Sequence, residues 1–186
     1  MMQFPPMPTW DSLHPIIIHF PIVLLLLSPL FIVISAALHP PHGRPYMIAA
    51  LIVLFLGTGS LFIAASTGEA AAELAERGGA VNAVLESHET LASETRIVFS
   101  ALFVLLLGIF VVPEFLGREE TKLAATYLPA MFLVLYLFGI VLVVTTAHAG
   151  GRLVHEFGVH AIIPGPSDQS NASPHGAQSP ARADSE

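Results

Sequence analysis

The sequence predicts an all-α membrane protein in which four transmembrane helices form an antiparallel bundle. Hydrophobic residues make up 54% of the 186 residues and charged residues only 11%, whereas soluble domains contain about 25% charged residues. The apolar residues form four segments, and a helix needs about 20 such residues to cross a bilayer. Two of the three connections between these segments are short, which makes the helices that they join antiparallel neighbours.

The four apolar segments comprise residues 16–38, 46–66, 97–112 and 123–147. With their flanking residues they predict helices at about 15–38, 46–77, 80–113 and 122–150, within a membrane domain of residues 13–163. Prolines occur in the first and last segments, and membrane helices tolerate them because other groups in the bundle satisfy the freed carbonyl groups. We expect residues 1–12 to form a short outer segment. Residues 164–186, rich in proline and serine, are predicted to be disordered.

The connection between the second and third segments, residues 69–94, is rich in the helix-forming residues Ala, Glu and Leu. Its only interruption is the pair Gly78-Gly79, so we predict that both helices extend beyond the membrane and turn at these glycines. The alternative is an amphipathic helix on the membrane surface. Such helices usually carry Lys and Arg on their polar face, but this segment has six glutamates and one arginine, which favours the protruding hairpin.

The distribution of basic residues predicts the orientation. The two short turns contain Arg44, Arg118 and Lys122, whereas residues 1–11 contain no Lys or Arg. Because basic residues near the membrane favour the cytoplasmic side, we expect the short turns in the cytoplasm, and both termini and the hairpin outside it. The absence of a basic N-terminal region also indicates that the first helix is retained and is not a cleaved signal.

Several classes of function are disfavoured. The chain has no cysteine, which excludes disulfides, iron–sulfur clusters and covalently attached haem within it. Its net charge of −7 argues against nucleic acid as a partner. It contains no phosphate-binding loop, no G-x-S-x-G motif and no H-E-x-x-H motif, so nothing indicates a stand-alone enzyme. A transporter is disfavoured because the four helices show no inverted repeat.

Nine histidines stand out in a chain that has few polar residues. Counting residues from each turn at a rise of 1.5 Å places His19, His88 and His148 in one layer at the outer end, level with residues 66–69. By the same count, His14 and His155 fall one or two turns further out. Ionisable residues inside a membrane bundle are candidates for function because burying them unpaired is costly. Although a single histidine at the membrane interface needs no such role, convergence from three helices favours a functional site.

Three kinds of chemistry suit this layer. The first is haem b, held by facing histidines of the bundle, with a propionate paired to Arg152 or to Arg96. The candidates for cofactor binding are His14, His19, His88, His148, His155 and Arg152. The second is a copper or zinc site formed by His19, His88, His148 and Glu69. The third is a proton relay or a quinone site that uses histidine together with glutamate.

Some of these histidines belong to two longer motifs. Residues 13–22, LHPIIIHFPI, and residues 147–159, AHAGGRLVHEFGV, resemble the opening and closing motifs of a bacterial membrane family known as domain of unknown function 2231. The resemblance covers about residues 10–160. It implies a four-helix domain in the bacterial inner membrane, and some members are joined to Rieske-type or cytochrome c modules, which suggests electron transfer. The family often has tyrosine where this chain has His155, so a role for His155 would be specific to this protein.

Together these observations predict a membrane-embedded, haem-b-binding electron-transfer subunit whose histidine site lies at the outer end of the bundle. Its expected partners are the lipid bilayer, a quinone and other membrane redox subunits. Two alternatives stay open: a structural or anchor subunit of a larger membrane complex, and a copper- or zinc-binding membrane protein.

Overall fold

The computed structural model describes residues 8–38, 40–74 and 78–159. A short 3-10 turn leads into α1 (His14–Ile17), which is followed by α2 (His19–Leu38). The remaining helices are α3 (Arg44–Leu74), α4 (Gly79–Phe115) and α5 (Leu128–His155), the last preceded by a π-helical turn, Leu123–Tyr127. The described residues contain no strand and form four helical spans long and apolar enough to cross a membrane. The predicted fold class is therefore confirmed.

The four long helices form two hairpins that lie side by side. α2 packs along α3, and α4 packs along α5. Contacts of α3 with α4 and of α2 with α5 join the hairpins and close the bundle. These contacts between the hairpins are less extensive than the contacts within them. Each hairpin is consequently the tightly packed unit, and the bundle is two such units placed face to face.

The two central helices are longer than a bilayer requires. α4 has 37 residues and α3 has 31, so they measure about 55 Å and 46 Å at 1.5 Å per residue. The hydrocarbon core of a bilayer is about 30 Å thick. α4 begins directly after Gly78, whose backbone is extended. The polar ends of α3 and α4 therefore project beyond the apolar segments, as predicted for the hairpin.

The last helix ends at His155, five residues beyond the predicted end at about 150. Gly150 and Gly151 do not break it, because the next turn is held by other contacts. The Glu156 N–H donates to the Arg152 carbonyl, the Arg152 side chain pairs with the Glu156 carboxylate, and Leu153 is buried. The predicted disordered tail, residues 164–186, lies outside the described residues, as does most of the predicted segment 1–12.

Large apolar side chains lie both inside the bundle and on its outer face. The interior cluster is centred on residues with almost no exposed surface, among them Leu25, Leu54, Phe99, Phe132 and Tyr136. Many Leu, Ile, Val and Phe side chains instead point outward. A continuous apolar surface of this kind would promote aggregation in water. Lipid tails are themselves apolar and can cover it. The packing is that of helices in a membrane, where close van der Waals contact holds neighbours together.

A hydrogen bond between α5 and α2 compensates for a proline in the membrane core. Pro29 lies inside α2 and has no N–H, so the carbonyl of Leu25, four residues earlier, loses its helical donor. The buried Tyr136 hydroxyl donates to this Leu25 carbonyl at 2.8 Å. An unsatisfied carbonyl in a lipid environment would be costly, so this bond explains how the proline is accommodated.

Candidate functional site

Two histidines lie inside the bundle at the end where α3 and α4 project. His14 is the first residue of α1, and Pro15 follows it at a position where a helix needs no N–H donor. The Trp10 indole N–H donates to the Ser66 hydroxyl of α3 at 3.3 Å, which fixes the start of the chain against that helix. His88 lies on the projecting part of α4. Both side chains are half-buried.

The His14 imidazole is held against α3 by its Nδ1 atom. Nδ1 lies 2.9 Å from the carbonyl oxygen of Ala64 and 3.1 Å from the Thr67 hydroxyl. The ring rests on Gly68, where an added Cβ would stand only 2.8 Å from the ring atom Cε1. Glycine is therefore needed at position 68 for the imidazole to approach the backbone of α3.

His88 makes the same arrangement in the second hairpin. Its Nδ1 lies 3.0 Å from the carbonyl oxygen of Thr146 on α5. The ring rests on Gly150, where an added Cβ would stand 3.0 Å from Cε1. As in the first hairpin, the accepting carbonyl precedes the glycine by four residues, which is one helical turn. The Thr146 hydroxyl also lies 3.0 Å from the buried Thr95 hydroxyl of α4, so the backbone that orients His88 is itself held in place.

The hydrogen bonds determine the tautomer of both rings. A carbonyl oxygen can only accept, so Nδ1 carries the proton in each neutral imidazole. The other nitrogen, Nε2, is then unprotonated and has a free lone pair. Neither Nε2 has a hydrogen-bond partner among the residues that the structure describes. Each hairpin therefore contributes one imidazole whose Nε2 atom could accept a hydrogen bond or bind a metal ion.

The structure places His14 nearer to this layer than the residue count did. The count put it a turn or two further out than His19, but its ring lies level with Ala64 to Gly68, so that estimate was wrong. The reason is the register of the first hairpin. Contacts of Gly43 with Ser35 and of Ser28 with Ala50 show that α2 and α3 pair there nearly two turns away from the register assumed.

The other predicted histidines lie on the surface of the bundle. His19, His148 and His155 are all exposed. His19 follows His14 by five residues and is rotated about 140° from it, at about 100° per residue. His148 is close to the predicted level, since Gly150 lies against His88, but it precedes that glycine by two residues and is rotated about 200° from it. A functional role for these three side chains stays a prediction.

Three side chains that were candidates for charge pairing are placed as follows. Arg96 pairs with Glu69 at 3.9 Å between α4 and α3. Arg152 pairs with Glu156 at 2.9 Å on the surface of α5. In the described ranges, no group of three or more His, Cys, Asp or Glu side chains is assembled to hold a metal ion. The predicted set of His19, His88, His148 and Glu69 is thus not brought together, and a role for each in metal binding stays a prediction.

Sequence reasoning missed the groups that orient the imidazoles. The Ala64 and Thr146 carbonyls and the Thr67 hydroxyl are the partners of the two Nδ1 atoms. A usable signal was present, because each hairpin combines one histidine with a glycine at the matching level of the facing helix. Of the remaining histidines, His42 is exposed at the short turn, and positions 39, 160 and 175 lie outside the described residues.

The fold defines a four-helix membrane protein, and two half-buried histidines, His14 and His88, lie toward one end of its bundle. The chain belongs to the family of domain of unknown function 2231, described as a predicted membrane protein, whose model matches residues 11–162. The resemblance predicted from the two motifs is therefore confirmed. No curated protein and no solved structure matches the chain. Both interior histidines lie within the matched region.

Proposed function

We propose that this protein binds haem b between His14 and His88 and serves as an electron-transfer subunit of the membrane. The observation that carries the proposal is the pair of oriented imidazoles. One comes from each hairpin, each has Nδ1 bound to a backbone carbonyl, and each keeps an unprotonated Nε2. A haem iron takes axial ligands of this kind, and the bound group would supply reversible one-electron chemistry.

The surroundings of the two rings suit such a group. Cofactor sites in helical bundles are built from side chains on facing helices, and these two rings come from opposite hairpins. A histidine that ligates a metal almost always donates its other N–H to a carbonyl or carboxylate, which orients the ring. The Ala64 and Thr146 carbonyls act in this way on His14 and His88. The looser boundary between the hairpins is where a flat group would enter.

The number of ligands favours haem b over zinc or copper. Structural zinc sites use four protein ligands and catalytic ones use three. The described side chains offer no such group of three, whereas two imidazoles complete the axial coordination of a haem iron. Copper or zinc binding at this site therefore has less support than haem b, although the nitrogen donors themselves suit all three.

A structural role is the second candidate, and the hydrogen bonds themselves favour it. Each imidazole joins two helices of one hairpin through a carbonyl and fills the space above a glycine. Such bonds contribute stability inside a membrane bundle, by about 0.6 kcal/mol on average. The protein would then be an anchor subunit whose histidines hold its helices together. This role predicts loss of stability on substitution, but no bound pigment.

The deciding experiment is an absorption spectrum of the purified protein. The protein, expressed in a haem-replete bacterial host and kept in detergent, is measured as a dithionite-reduced minus oxidised difference. We expect a sharp α band of haem b that disappears in His14→Ala and in His88→Ala. His19→Ala and His148→Ala are the matched controls, because their side chains are exposed, and both should keep the band. A wild-type sample without haem would overturn the proposal and leave the structural role.

The location and partners belong to the same proposal. In this proposal the chain lies in the bacterial inner membrane with the histidine end outside the cytoplasm, and its electron partners are a quinone and other membrane redox subunits. The support is the position of Arg44, Arg118 and Lys122 at the short turns of the bundle. The histidine pair lies at the opposite end, beside the projecting parts of α3 and α4, where an outer carrier has access.

A further inference from the structure

A cavity opens at the end of the bundle that carries the two short turns, opposite to the end where His14 and His88 lie. We call it the turn-end cavity. Its wall combines the ends of α2 and α4, the start of α3, both short turns and the π-helical turn before α5. Its volume is about 140 Å³, and a cavity of about 150 Å³ is large enough to hold a molecule the size of benzene. The turn-end cavity can therefore admit a small ligand.

The charged side chains that line the turn-end cavity are unbalanced. Three carboxylates, those of Glu114, Glu119 and Glu120, accompany one guanidinium, that of Arg44. Arg44 is already engaged, because it pairs with Glu114 and lies over the Phe110 ring. Glu119 and Glu120 form no ion pair with any residue that the structure describes. The wall of the cavity thus carries two carboxylates in excess of its basic groups.

The other basic residues of the second short turn do not offset this charge. Arg118 and Lys122 are not part of the cavity wall, and within the described ranges neither pairs with a carboxylate. Both are exposed, and water weakens the interaction between exposed charges. The cavity therefore favours a positively charged group and disfavours an anion.

A buried hydroxyl in the same wall gives an independent indication of a ligand. Ser35 lines the cavity and has only 7% of its surface exposed. Its hydroxyl has no hydrogen-bond partner among the described residues, whereas the Ser28 hydroxyl of the same helix donates to the Ala50 carbonyl at 3.3 Å. A buried hydroxyl without a partner is costly, so a ligand that hydrogen-bonds to Ser35 would be stabilised there.

The rest of the wall indicates which kind of cation fits. In the described part of the chain, no three His, Cys, Asp or Glu side chains are assembled to hold a metal ion. Met47, Ile109 and Pro113 instead offer an apolar surface, which suits the carbon atoms of an organic cation. A primary ammonium group has three N–H donors and no acceptor, and these match carboxylate and hydroxyl oxygens.

We propose that the turn-end cavity binds a primary ammonium group carried on a short apolar body. Glu119 and Glu120 supply the opposite charge, and the Ser35 hydroxyl accepts one N–H. The site is independent of the proposed haem site, which lies at the other end of the bundle. The same ammonium chemistry has two sources at this end of a membrane protein, the ethanolamine head group of a phospholipid and a free alkylamine in the aqueous phase.

The test measures the binding of n-butylammonium to the protein in a neutral detergent at pH 7 and constant ionic strength. The Kd is obtained from the rise of the melting temperature with ligand concentration. We expect n-butylammonium, but not the neutral n-butanol, to stabilise the wild-type protein. The double variant Glu119→Gln/Glu120→Gln should raise the Kd at least about fivefold, the upper value of one exposed ion pair. Ala125→Leu, which places a larger side chain in the cavity wall, should also weaken binding.

The matched control is the double variant Glu73→Gln/Glu86→Gln, which removes two exposed carboxylates from the opposite end of the bundle and should leave the Kd unchanged. An unchanged Kd in Glu119→Gln/Glu120→Gln, an equal effect in the control, or equal stabilisation by n-butanol would overturn the proposal. Unchanged binding in Ala125→Leu would overturn it as well, because the amine would then bind outside the cavity.

A second measurement identifies the source of the ammonium group. Wild-type protein and the variants are mixed with phosphatidylethanolamine in detergent micelles, and bound lipid is counted by native mass spectrometry. Lipid that is retained by the wild type and by Glu73→Gln/Glu86→Gln, but lost in Glu119→Gln/Glu120→Gln, assigns the site to the lipid head group. Binding of n-butylammonium without such lipid retention assigns it to a free amine. If neither probe binds the wild-type protein, the proposal is wrong.

Discussion

Adding one methyl group at Gly68 tests the contact on which the histidine site depends. In Gly68→Ala the new Cβ would stand 2.8 Å from the His14 Cε1 atom. Carbon atoms in favourable contact are about 3.5–4.0 Å apart, so the ring must retreat by about 0.7 Å. The bond from Nδ1 to the Ala64 carbonyl, now 2.9 Å, then lengthens beyond the range of a hydrogen bond.

The expected cost follows from these distances. Overpacking costs about 1–3 kcal/mol, and the lost hydrogen bond adds about 1 kcal/mol. The higher helix propensity of alanine than of glycine offsets up to about 1 kcal/mol of this cost. The net destabilisation is about 1–3 kcal/mol. At this chain length, it lowers the melting temperature by about 2–4 °C per kcal/mol. Gly150→Ala, whose Cβ would stand 3.0 Å from the His88 ring, should cost somewhat less.

Two glycines of the same helices provide matched controls. An added Cβ at Gly59 of α3 or at Gly151 of α5 meets no atom within 4 Å, so both alanine variants should be neutral or slightly stabilising. The assay is thermal unfolding of the detergent-solubilised protein by circular dichroism, with haem content measured on the same samples. Equal melting temperatures for Gly68→Ala and Gly59→Ala would refute the packing argument. Unchanged haem content in Gly68→Ala would indicate that His14 does not hold the proposed haem.

Two other predictions follow from the bundle. Tyr136→Phe leaves the Leu25 carbonyl without the donor that replaces the N–H missing at Pro29, so it should cost about 1–3 kcal/mol. The cost should shrink in a Pro29→Ala background, where an N–H is restored, and equal costs in both backgrounds, measured by thermal unfolding, would contradict the explanation. Because the chain has no cysteine, single cysteines report orientation cleanly. A membrane-impermeant maleimide should label Asn82→Cys but not Glu120→Cys in intact spheroplasts, and the reverse pattern would contradict the proposed orientation.

The sequence by itself determined the four spans and the extension of α3 and α4 beyond their apolar segments, because both depend on local properties. Apolar length decides whether a helix crosses a bilayer, and a run of helix formers broken only by Gly78-Gly79 indicates where two helices turn. The count along α4 and α5 also matched the structure, since Gly150 lies against His88 close to where the short turn places it. Distance along a helix is a sum of equal rises and can be read from residue numbers.

Only the tertiary structure decided which histidine side chains turn into the bundle. Rotation about a helix axis changes by about 100° per residue, so the count that placed His148 at the right level said nothing about its direction. The register of α2 against α3 likewise depends on how closely the backbones approach at residues such as Gly43 and Ser28, and it brings the His14 ring to the level of Ala64 to Gly68. These features arise from contacts between distant parts of the chain, which no local pattern records.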